Sequence, residues 1–293
     1  MDLFFEGIKN GLAMGSIFAL MALGYSMVYG IVKMINFAHS EFITVGGFTA
    51  FFISDKILKP TLGNTITTLL ITLLISIVVC VLIAIVTEKF AYRPLRKKGS
   101  SRITALITAI GVSYILGGTM NAISGSQLQF PTFFKNPNTS FLISIITTAI
   151  LLIALTFFVR KTKIGIAMRA VSENEEASKL MGINNNSIIT LTFILGSALA
   201  AIGVIIYLLR APMFNFELGS VTIGLYPFVA AVVGGIGSLP GAVLGGFLIG
   251  ILRELTAVYG ISHWADTIVY GIFVIILLFK PAGLLGKNVR EKV

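Results

Sequence analysis

The sequence TITTLLITLLISIVVCVLIAIVT, residues 65–87, contains no charged side chain. A helix needs about 20 mostly apolar residues to cross the hydrocarbon core of a bilayer. Backbone groups in lipid must bond to one another, which only helices and closed barrels achieve. The stretch lacks the alternation of polar and apolar residues that marks a barrel strand. It is therefore predicted to form a transmembrane helix.

Apolar runs of similar length recur along the chain, at residues 11–29, 37–53, 103–123, 141–159, 188–209 and 264–279. The glycine-rich stretch 221–259 contains the helix-breaking sequence GGIGSLPG at 234–241. We expect this stretch either to cross the membrane twice or to dip in and return. The predicted fold is all-α: one transmembrane domain over residues 1–293, a polytopic helical bundle of about eight or nine spans with some short or broken helices.

Composition supports a membrane location. Of the 293 residues, 56% are hydrophobic and 12% are charged, and the mean hydropathy is +0.96. A soluble domain carries about 25% charged residues. So few charges could not cover the surface of a protein of this size in water, and lipid must therefore cover much of it.

The positive charge follows the pattern expected for cytoplasmic loops. The net charge of +10 is concentrated at residues 93–102, 160–179 and 280–292, each beside an apolar run. Lysine and arginine are enriched in the cytoplasmic loops of membrane proteins. Counting crossings between these clusters predicts an external N-terminus and a cytoplasmic C-terminus. This placement argues for contact with the bilayer and against nucleic-acid binding.

No motif for catalysis or metal binding is present in the sequence. The Gly286-Lys287 pair is followed by Asn288, so it lacks the context of a phosphate-binding loop, and no zinc-protease or nucleophile-elbow motif occurs. His39 and His263 are far apart, and Cys80 is the single cysteine. We expect no enzymatic activity, no catalytic residue and no metal site. A solute pathway is the remaining expectation for such a membrane protein.

The longest predicted cytoplasmic loop, about residues 160–187, contains a short amphipathic helix. Ser172 and Glu175 fit a capping box, and Gly182 suits the left-handed position that ends a helix. Glu173, Glu175 and Glu176 would lie in the first turn, where the helix dipole favours negative charge. The apolar face would consist of Ala177, Leu180 and Met181. The helix would either dock into a cytoplasmic partner or lie on the lipid headgroups, and the residues alone favour the headgroups.

Three polar residues, Asn36, His39 and Glu41, lie at the start of the short apolar segment 37–53. Ionisable side chains inside a membrane are costly and usually functional, whereas at the interface the cost is small. The residues alone leave both placements open. The candidates for the translocation pathway are these polar residues, two glycines of the same segment and three glycines of the helix-breaking sequence at 234–241: Asn36, His39, Glu41, Gly46, Gly47, Gly234, Gly235 and Gly237.

Glycines four residues apart occur at 7, 11 and 15, and in the pairs 241/245 and 246/250. Such spacing allows helix backbones to approach closely, so we expect packing within the chain or against a second subunit. The predicted outer loops carry further charged residues, which would contact an extracytoplasmic delivery protein or form a solvated rim: Arg210, Glu217, Arg253, Glu254, His263 and Asp266.

Five stretches resemble one known family. They are MVYGIVKMINFAHSE (27–41), EKFAYRPLR (88–96), GIAMRAVSEN (165–174), LMGIN (180–184) and VGGIGSLPGA (233–242). In this order they resemble LivH-type permeases, the membrane subunits of bacterial ABC importers for branched-chain amino acids. The resemblance extends over nearly the whole chain and implies a multi-pass protein of the bacterial cytoplasmic membrane.

The resemblance implies that the helix in the 160–187 loop couples the permease to ATPase subunits. Glu176, Ala177 and Gly182 match an E-A-A…G coupling motif, and Ser178 departs from it where the motif has a second alanine. The implied coupling residues are Arg169, Ser172, Glu173, Glu175, Glu176, Ala177, Leu180, Met181 and Gly182.

The implied partners are two ATP-binding subunits, a LivM-like second permease and an extracytoplasmic amino-acid-binding protein. ATP would bind to those partners, and this chain would carry no cofactor. Permeases for urea, other amides and sugars belong to the same broad family and remain alternatives. An ion-coupled secondary transporter and a channel are the alternatives from other classes.

Overall fold

The computed structural model describes residues 2–34, 36–124, 128–134 and 136–286. The predicted basic tail at 287–292 lies outside the described residues. Within them, the chain is almost entirely helical. The α-helices, numbered in chain order, are α1 (Asp2–Val32), α2 (His39–Phe51), α3 (Lys59–Leu62), α4 (Ile66–Thr87), α5 (Arg93–Lys97), α6 (Arg102–Ser124), α7 (Pro137–Lys161), α8 (Lys163–Glu173), α9 (Glu175–Leu180), α10 (Asn185–Arg210), α11 (Gly224–Gly234), α12 (Leu239–Val258) and α13 (Ala265–Phe279).

Three π-helical segments extend these helices. Phe52–Leu58 joins α2 to α3, Glu88–Tyr92 joins α4 to α5, and Leu218–Ile223 leads into α11. A short 3₁₀ turn, Ser262–Trp264, precedes α13. The strands β1 (Leu128–Gln129) and β2 (Met213–Phe214) form one antiparallel pair, with Leu128 opposite Phe214.

Seven helical segments of the described chain are long and apolar enough to cross a membrane. There are two further helical segments: the run from α2 to α3, which contains a π-helical stretch, and the shorter apolar segment Leu218–Gly234. The structure therefore confirms the predicted polytopic bundle with short and broken helices. The break predicted in 221–259 falls between α11 and α12, where Gly235 has a φ of +109° and Ser238 caps α12.

Helix α4 shows how the bundle is adapted to lipid. Its inward face carries small and hydroxyl side chains, among them Thr72, Ser76 and Cys80, which are buried. Its large aliphatic residues point outward and are exposed: Leu70, Leu74, Val78, Leu82 and Val86. This order is the reverse of a water-soluble amphipathic helix, because the surroundings of a transmembrane helix are themselves apolar.

Helix α1 forms the centre of the bundle and packs antiparallel against α12. A Cβ added at Gly11 would lie 2.6 Å from the Cα of Ile251, and one added at Gly7 would lie 2.7 Å from the side chain of Leu255. Gly15 is in equally close contact with Phe247. The expected packing role of the four-residue glycine spacing is thus confirmed, and the contact lies within the chain.

The bundle has two distinct ends. Arg93 donates a hydrogen bond to Thr190 near the start of α10, and Ser178 in α9 donates one to Asn185, the first residue of α10. These bonds bring the clusters 93–97 and 160–179 together at what we call the basic end. At the opposite end, Lys9 donates to Asn138 and the Ser140 hydroxyl donates to the carbonyl of Leu209.

Candidate functional site

Helices α8 and α9 form a structured projection at the basic end, which we call the docking element (163–182). Thr162 caps α8 by accepting a hydrogen bond from the Gly165 amide. Met168 and Val171 are buried against the bundle. A cavity of about 100 Å³ lies beside α8. Arg169 and Ser172 line it together with residues of α1, α7 and α12. The docking element is therefore anchored through α8.

The predicted capping box is wrong, because a better cap stands two residues further on. Asn174 accepts hydrogen bonds from the amides of Glu176 and Ala177, and its extended backbone separates α8 from α9. Ser172 instead donates to the carbonyl of Arg169 within α8. Glu173 consequently ends α8 and does not lie in the first turn of α9.

Ser178 fixes α9 to the rest of the bundle. Its buried hydroxyl donates to Asn185, and the Asn185 amide donates to the carbonyl of Glu175. Ser178, which stands where the coupling motif that the sequence resembles has a second alanine, thus provides a hydrogen bond between α9 and α10. Gly182 ends the helix with a φ of +81°, as predicted.

The tip of the docking element presents large apolar side chains to the exterior. Leu180 is 89% exposed and Met181 is 82% exposed. Ala177 is exposed as well, and so are the charged residues Glu175, Glu176 and Lys179 of the same helix. An apolar centre with a charged rim is the composition of a protein-binding surface.

Among the pathway candidates, Glu41 occupies the most unusual environment. It is 1% exposed, near the start of α2. Its Oε1 accepts hydrogen bonds from Ser220 at 2.6 Å and from Ser113 at 3.0 Å, with Ser40 more distant at 3.4 Å. Its Oε2 is buried and has no hydrogen-bond partner.

His39 lies two residues earlier and faces another side of α2. Its ring packs against Tyr25, at 4.3 Å between centroids, and against the backbones of Gly24 and Gly196. Neither of its ring nitrogens has a partner. Gly196 is near the middle of α10, so His39 and Glu41 lie deep in the bundle and not at its surface.

The other candidates fall into two groups. Asn36 accepts a hydrogen bond of 2.6 Å from the Tyr92 hydroxyl, which fixes the entry to α2, while Gly46 and Gly47 allow close contact with Cys80 and Phe214. The second group, Gly234, Gly235 and Gly237, lies at the basic end. There the carbonyl of Gly234 accepts a hydrogen bond from the Leu285 amide, and Gly237 packs on Gly30. The structure does not bring these glycines to Glu41.

Two polar clusters were missed by the sequence reasoning. The buried carboxylate of Glu88 forms ion pairs with Arg93 at 2.8 Å and Arg96 at 2.7 Å. At the opposite end, a cavity of about 250 Å³ is lined by residues that include Tyr226, Arg253, Glu254 and Asp266, and the Tyr226 hydroxyl donates to Asp266. The charged residues predicted for the outer rim thus include three that share one cavity.

Comparison with known proteins identifies the family. A family model described as the permease component of the branched-chain amino acid transport system matches residues 7–278. The chain is 36% identical to the high-affinity branched-chain amino acid transport system permease protein BraD of Pseudomonas aeruginosa, over 99% of this chain and 98% of that protein. It is 34% identical, over the same shares, to the LivH permease proteins of Salmonella typhimurium and Escherichia coli. No solved structure matches the chain.

These relatives are transport permeases along their full length, and the apolar helices of this chain agree with a multi-pass membrane protein. The family match includes both the docking element and the Glu41 region. The chain belongs to the family of permease components of branched-chain amino acid transport systems.

Proposed function

We propose that this chain is the membrane-spanning subunit of an ATP-driven importer for branched-chain or other hydrophobic amino acids. The proposal is supported by relatives that are 34–36% identical over nearly their full length and are described as permease proteins of high-affinity branched-chain amino acid transport systems. In the proposed assembly, this chain pairs with a second, LivM-like permease and two ATP-binding subunits. An extracytoplasmic binding protein delivers the amino acid, ATP binds only to the partner subunits, and this chain performs no chemistry.

The exposed tip of the docking element is the observation that supports coupling to an ATPase most directly. Leu180 is the most exposed large apolar side chain in the described part of the chain, and Met181 beside it is nearly as exposed. Desolvated apolar anchors inside a polar rim dominate the affinity of many interfaces. A groove on each ATPase subunit would accept this tip, as the resemblance to coupling helices implies.

The hydrogen bonds of α9 suggest how ATPase movement reaches the pathway. A pull on α9 acts through Ser178 on Asn185, the first residue of α10. Helix α10 carries Gly196, against which His39 is packed. Closure of the two ATPases would thus move α10 relative to the start of α2. Two conformations with different affinities for the cargo are sufficient for ATP to drive alternating access.

The basic end is proposed to be cytoplasmic, with the N-terminus outside. The natural Cys80 is buried, so its replacement by serine gives a background for labelling single introduced cysteines with a membrane-impermeant reagent. In intact cells, Thr61→Cys at the opposite end should react and Glu176→Cys should react only after permeabilisation. Labelling of Glu176→Cys from outside would exclude the proposed orientation and, with it, ATP-driven import through the docking element.

Changing the apolar tip tests coupling. In proteoliposomes that contain both permeases, both ATPases and the binding protein, wild type should accumulate leucine when ATP is enclosed. The double variant Leu180→Asp, Met181→Asp should lose ATPase co-purification and most uptake, because it places charges in an apolar contact. The matched variant Ile57→Asp, an exposed apolar residue at the opposite end, should retain both.

The same preparation separates the alternatives. Uptake that follows a proton or sodium gradient without ATP would indicate a secondary transporter. Passive flux through the double variant would indicate a channel. Uptake of urea or a pentose, without uptake of leucine, isoleucine or valine, would assign the chain to another substrate class.

A further inference from the structure

We propose that Glu41 binds the α-ammonium group of the amino acid as it passes through the permease. This inference rests on the proposed function and names the chemical group of the cargo that the buried carboxylate recognises. The inference starts from the hydrogen bonds of the Glu41 carboxylate. One oxygen accepts hydrogen bonds from the hydroxyls of Ser113 and Ser220, and the other oxygen is buried without a partner.

The hydroxyl donors come from three different parts of the chain. Ser40 belongs to α2, Ser113 to α6, and Ser220 to the π-helical turn before α11. These donors are neutral, so they orient and stabilise an ionised carboxylate without cancelling its charge. A carboxylate that accepts hydrogen bonds on one oxygen still has the second oxygen available for a cation.

No residue in the described part of the chain forms an ion pair with this carboxylate. In the described part of the chain, the ion pairs involve Asp55, Glu88, Glu175 and Glu254, and none involves Glu41. An isolated buried charge is costly inside a membrane protein, and such residues commonly mark the path of a substrate or ion. A positively charged group that arrives with the cargo would remove this cost while it is bound.

The chemistry favours an ammonium group over a metal ion. The described residues contain no group of three or more histidine, cysteine, aspartate or glutamate side chains that could hold a metal. One carboxylate oxygen with nearby hydroxyl oxygens suits an ammonium group, which donates up to three hydrogen bonds to oxygen acceptors. Charge-assisted hydrogen bonds of this kind are stronger than neutral ones.

The free oxygen of Glu41 and the ring of Phe216 both lie against Gly117 of α6. A Cβ added at Gly117 of α6 would lie 3.0 Å from Oε2 of Glu41 and 2.8 Å from the ring of Phe216. Because Gly117 has no side chain, the Phe216 ring and the Glu41 carboxylate can both pack closely against α6 at this position. Displacement of Phe216, in the segment that follows β2, would expose Oε2 to a passing molecule.

The test separates the ammonium contact from the rest of cargo recognition. Purified permease pairs, without binding protein, are heated in the presence of leucine, 3-methylbutan-1-amine or 4-methyl-2-oxopentanoate. The amine carries only the ammonium group and the leucine-like side chain, whereas the oxo acid carries the carboxylate and no ammonium. Wild type should be stabilised by leucine and by the amine, and not by the oxo acid.

Glu41→Gln should abolish stabilisation by the amine and lower ATP-driven leucine uptake by about tenfold or more, since it removes a charge-assisted contact. The glutamine keeps the shape of the side chain and an oxygen for the serine hydroxyls. Glu41→Asp should retain part of the amine response. Glu217→Gln, which changes an exposed carboxylate next to Phe216, is the matched control in the thermal test without binding protein and should keep the wild-type response to the amine.

Three outcomes would overturn the inference. The first is an unchanged amine response in Glu41→Gln, and the second is wild-type leucine uptake by that variant. The third is uptake by wild type that requires a sodium or proton gradient and loses this requirement in Glu41→Gln, which would assign Glu41 to an inorganic cation. If wild type fails to take up leucine yet shows the amine response that Glu41→Gln lacks, the cargo assignment fails and the ammonium site stands.

Discussion

Two buried carboxylates in this bundle have opposite surroundings. Glu88, at the basic end, is fully buried and contacts two guanidinium groups, Arg93 and Arg96. Glu41, near the level of the middle of α10, accepts hydrogen bonds from the hydroxyls of Ser113 and Ser220 on one oxygen, and its other oxygen is buried without a hydrogen bond. The first carboxylate is neutralised within the chain, and the second is not.

The difference separates a charge that is paired within the fold from the charge proposed to bind the cargo. The Glu88 cluster joins the turn after α4 to α10, because Arg93 and Thr190 share the same carboxylate oxygen. A buried ion pair is costly to break, since the remaining partner keeps an uncompensated charge. Among the described residues, no positively charged side chain would be left unpaired by the loss of Glu41. Its removal should therefore affect transport more than folding.

The largest expected effect on stability is at Glu88. Glu88→Gln leaves two arginines close together without a counter-charge and should destabilise the protein by about 3–5 kcal/mol. Thermal unfolding of the purified permease, followed by fluorescence-detected gel filtration, would measure this loss. The control Asp55→Asn affects only pairs with the exposed lysines Lys56 and Lys59 at the opposite end, and the contribution of such surface pairs to stability is about 0–1 kcal/mol.

The same substitution at Glu41 should have little effect on stability or increase it. Glu41→Gln removes an unpaired buried charge and retains an acceptor for Ser113 and Ser220, so the melting temperature should stay equal or rise. If Glu41→Gln and Glu88→Gln lowered the melting temperature equally, the distinction between the two carboxylates would fail.

A smaller effect is expected at Gly117, against which Glu41 and Phe216 pack. Gly117→Ala places a methyl group against Phe216 and Oε2, and such overpacking typically costs about 1–3 kcal/mol. Gly118→Ala is the matched control on the same helix, because nothing lies within 4 Å of its added Cβ. That variant should be neutral or gain up to about 1 kcal/mol from helix propensity. The melting temperatures of the two variants would be compared in the same detergent. Equal melting temperatures would argue against close packing of Gly117 on Phe216 and Glu41.

Much of the fold could be predicted from the sequence because the strongest signals are local. The apolar runs 65–87 and 141–159 lie within helices whose bounds differ by only a few residues. The position of the cap before α9 was less determined. Ser172 and Asn174 both suit a cap, and α8 continues past Ser172 because Met168 and Val171 bury its apolar face.

The surroundings of Glu41 could not be predicted in the same way. Ser113 and Ser220 are ordinary residues of apolar segments, and nothing in their local sequence distinguishes them from other serines. They meet Glu41 because α6 and the π-helical turn before α11 pack on α2. Only the tertiary arrangement reveals which oxygen of the carboxylate remains free.

The glycine contacts between α1 and α12 have a consequence for biosynthesis. Gly11 faces Ile251, so the first helix meets its main neighbour only when nearly the whole chain has been translated. At about 5–20 residues per second, the interval is roughly 10–50 s. During that time, the glycine face of α1 is exposed to lipid or to the insertion machinery. Assembly in the membrane should therefore finish late, with α12 as the helix that closes the bundle around α1.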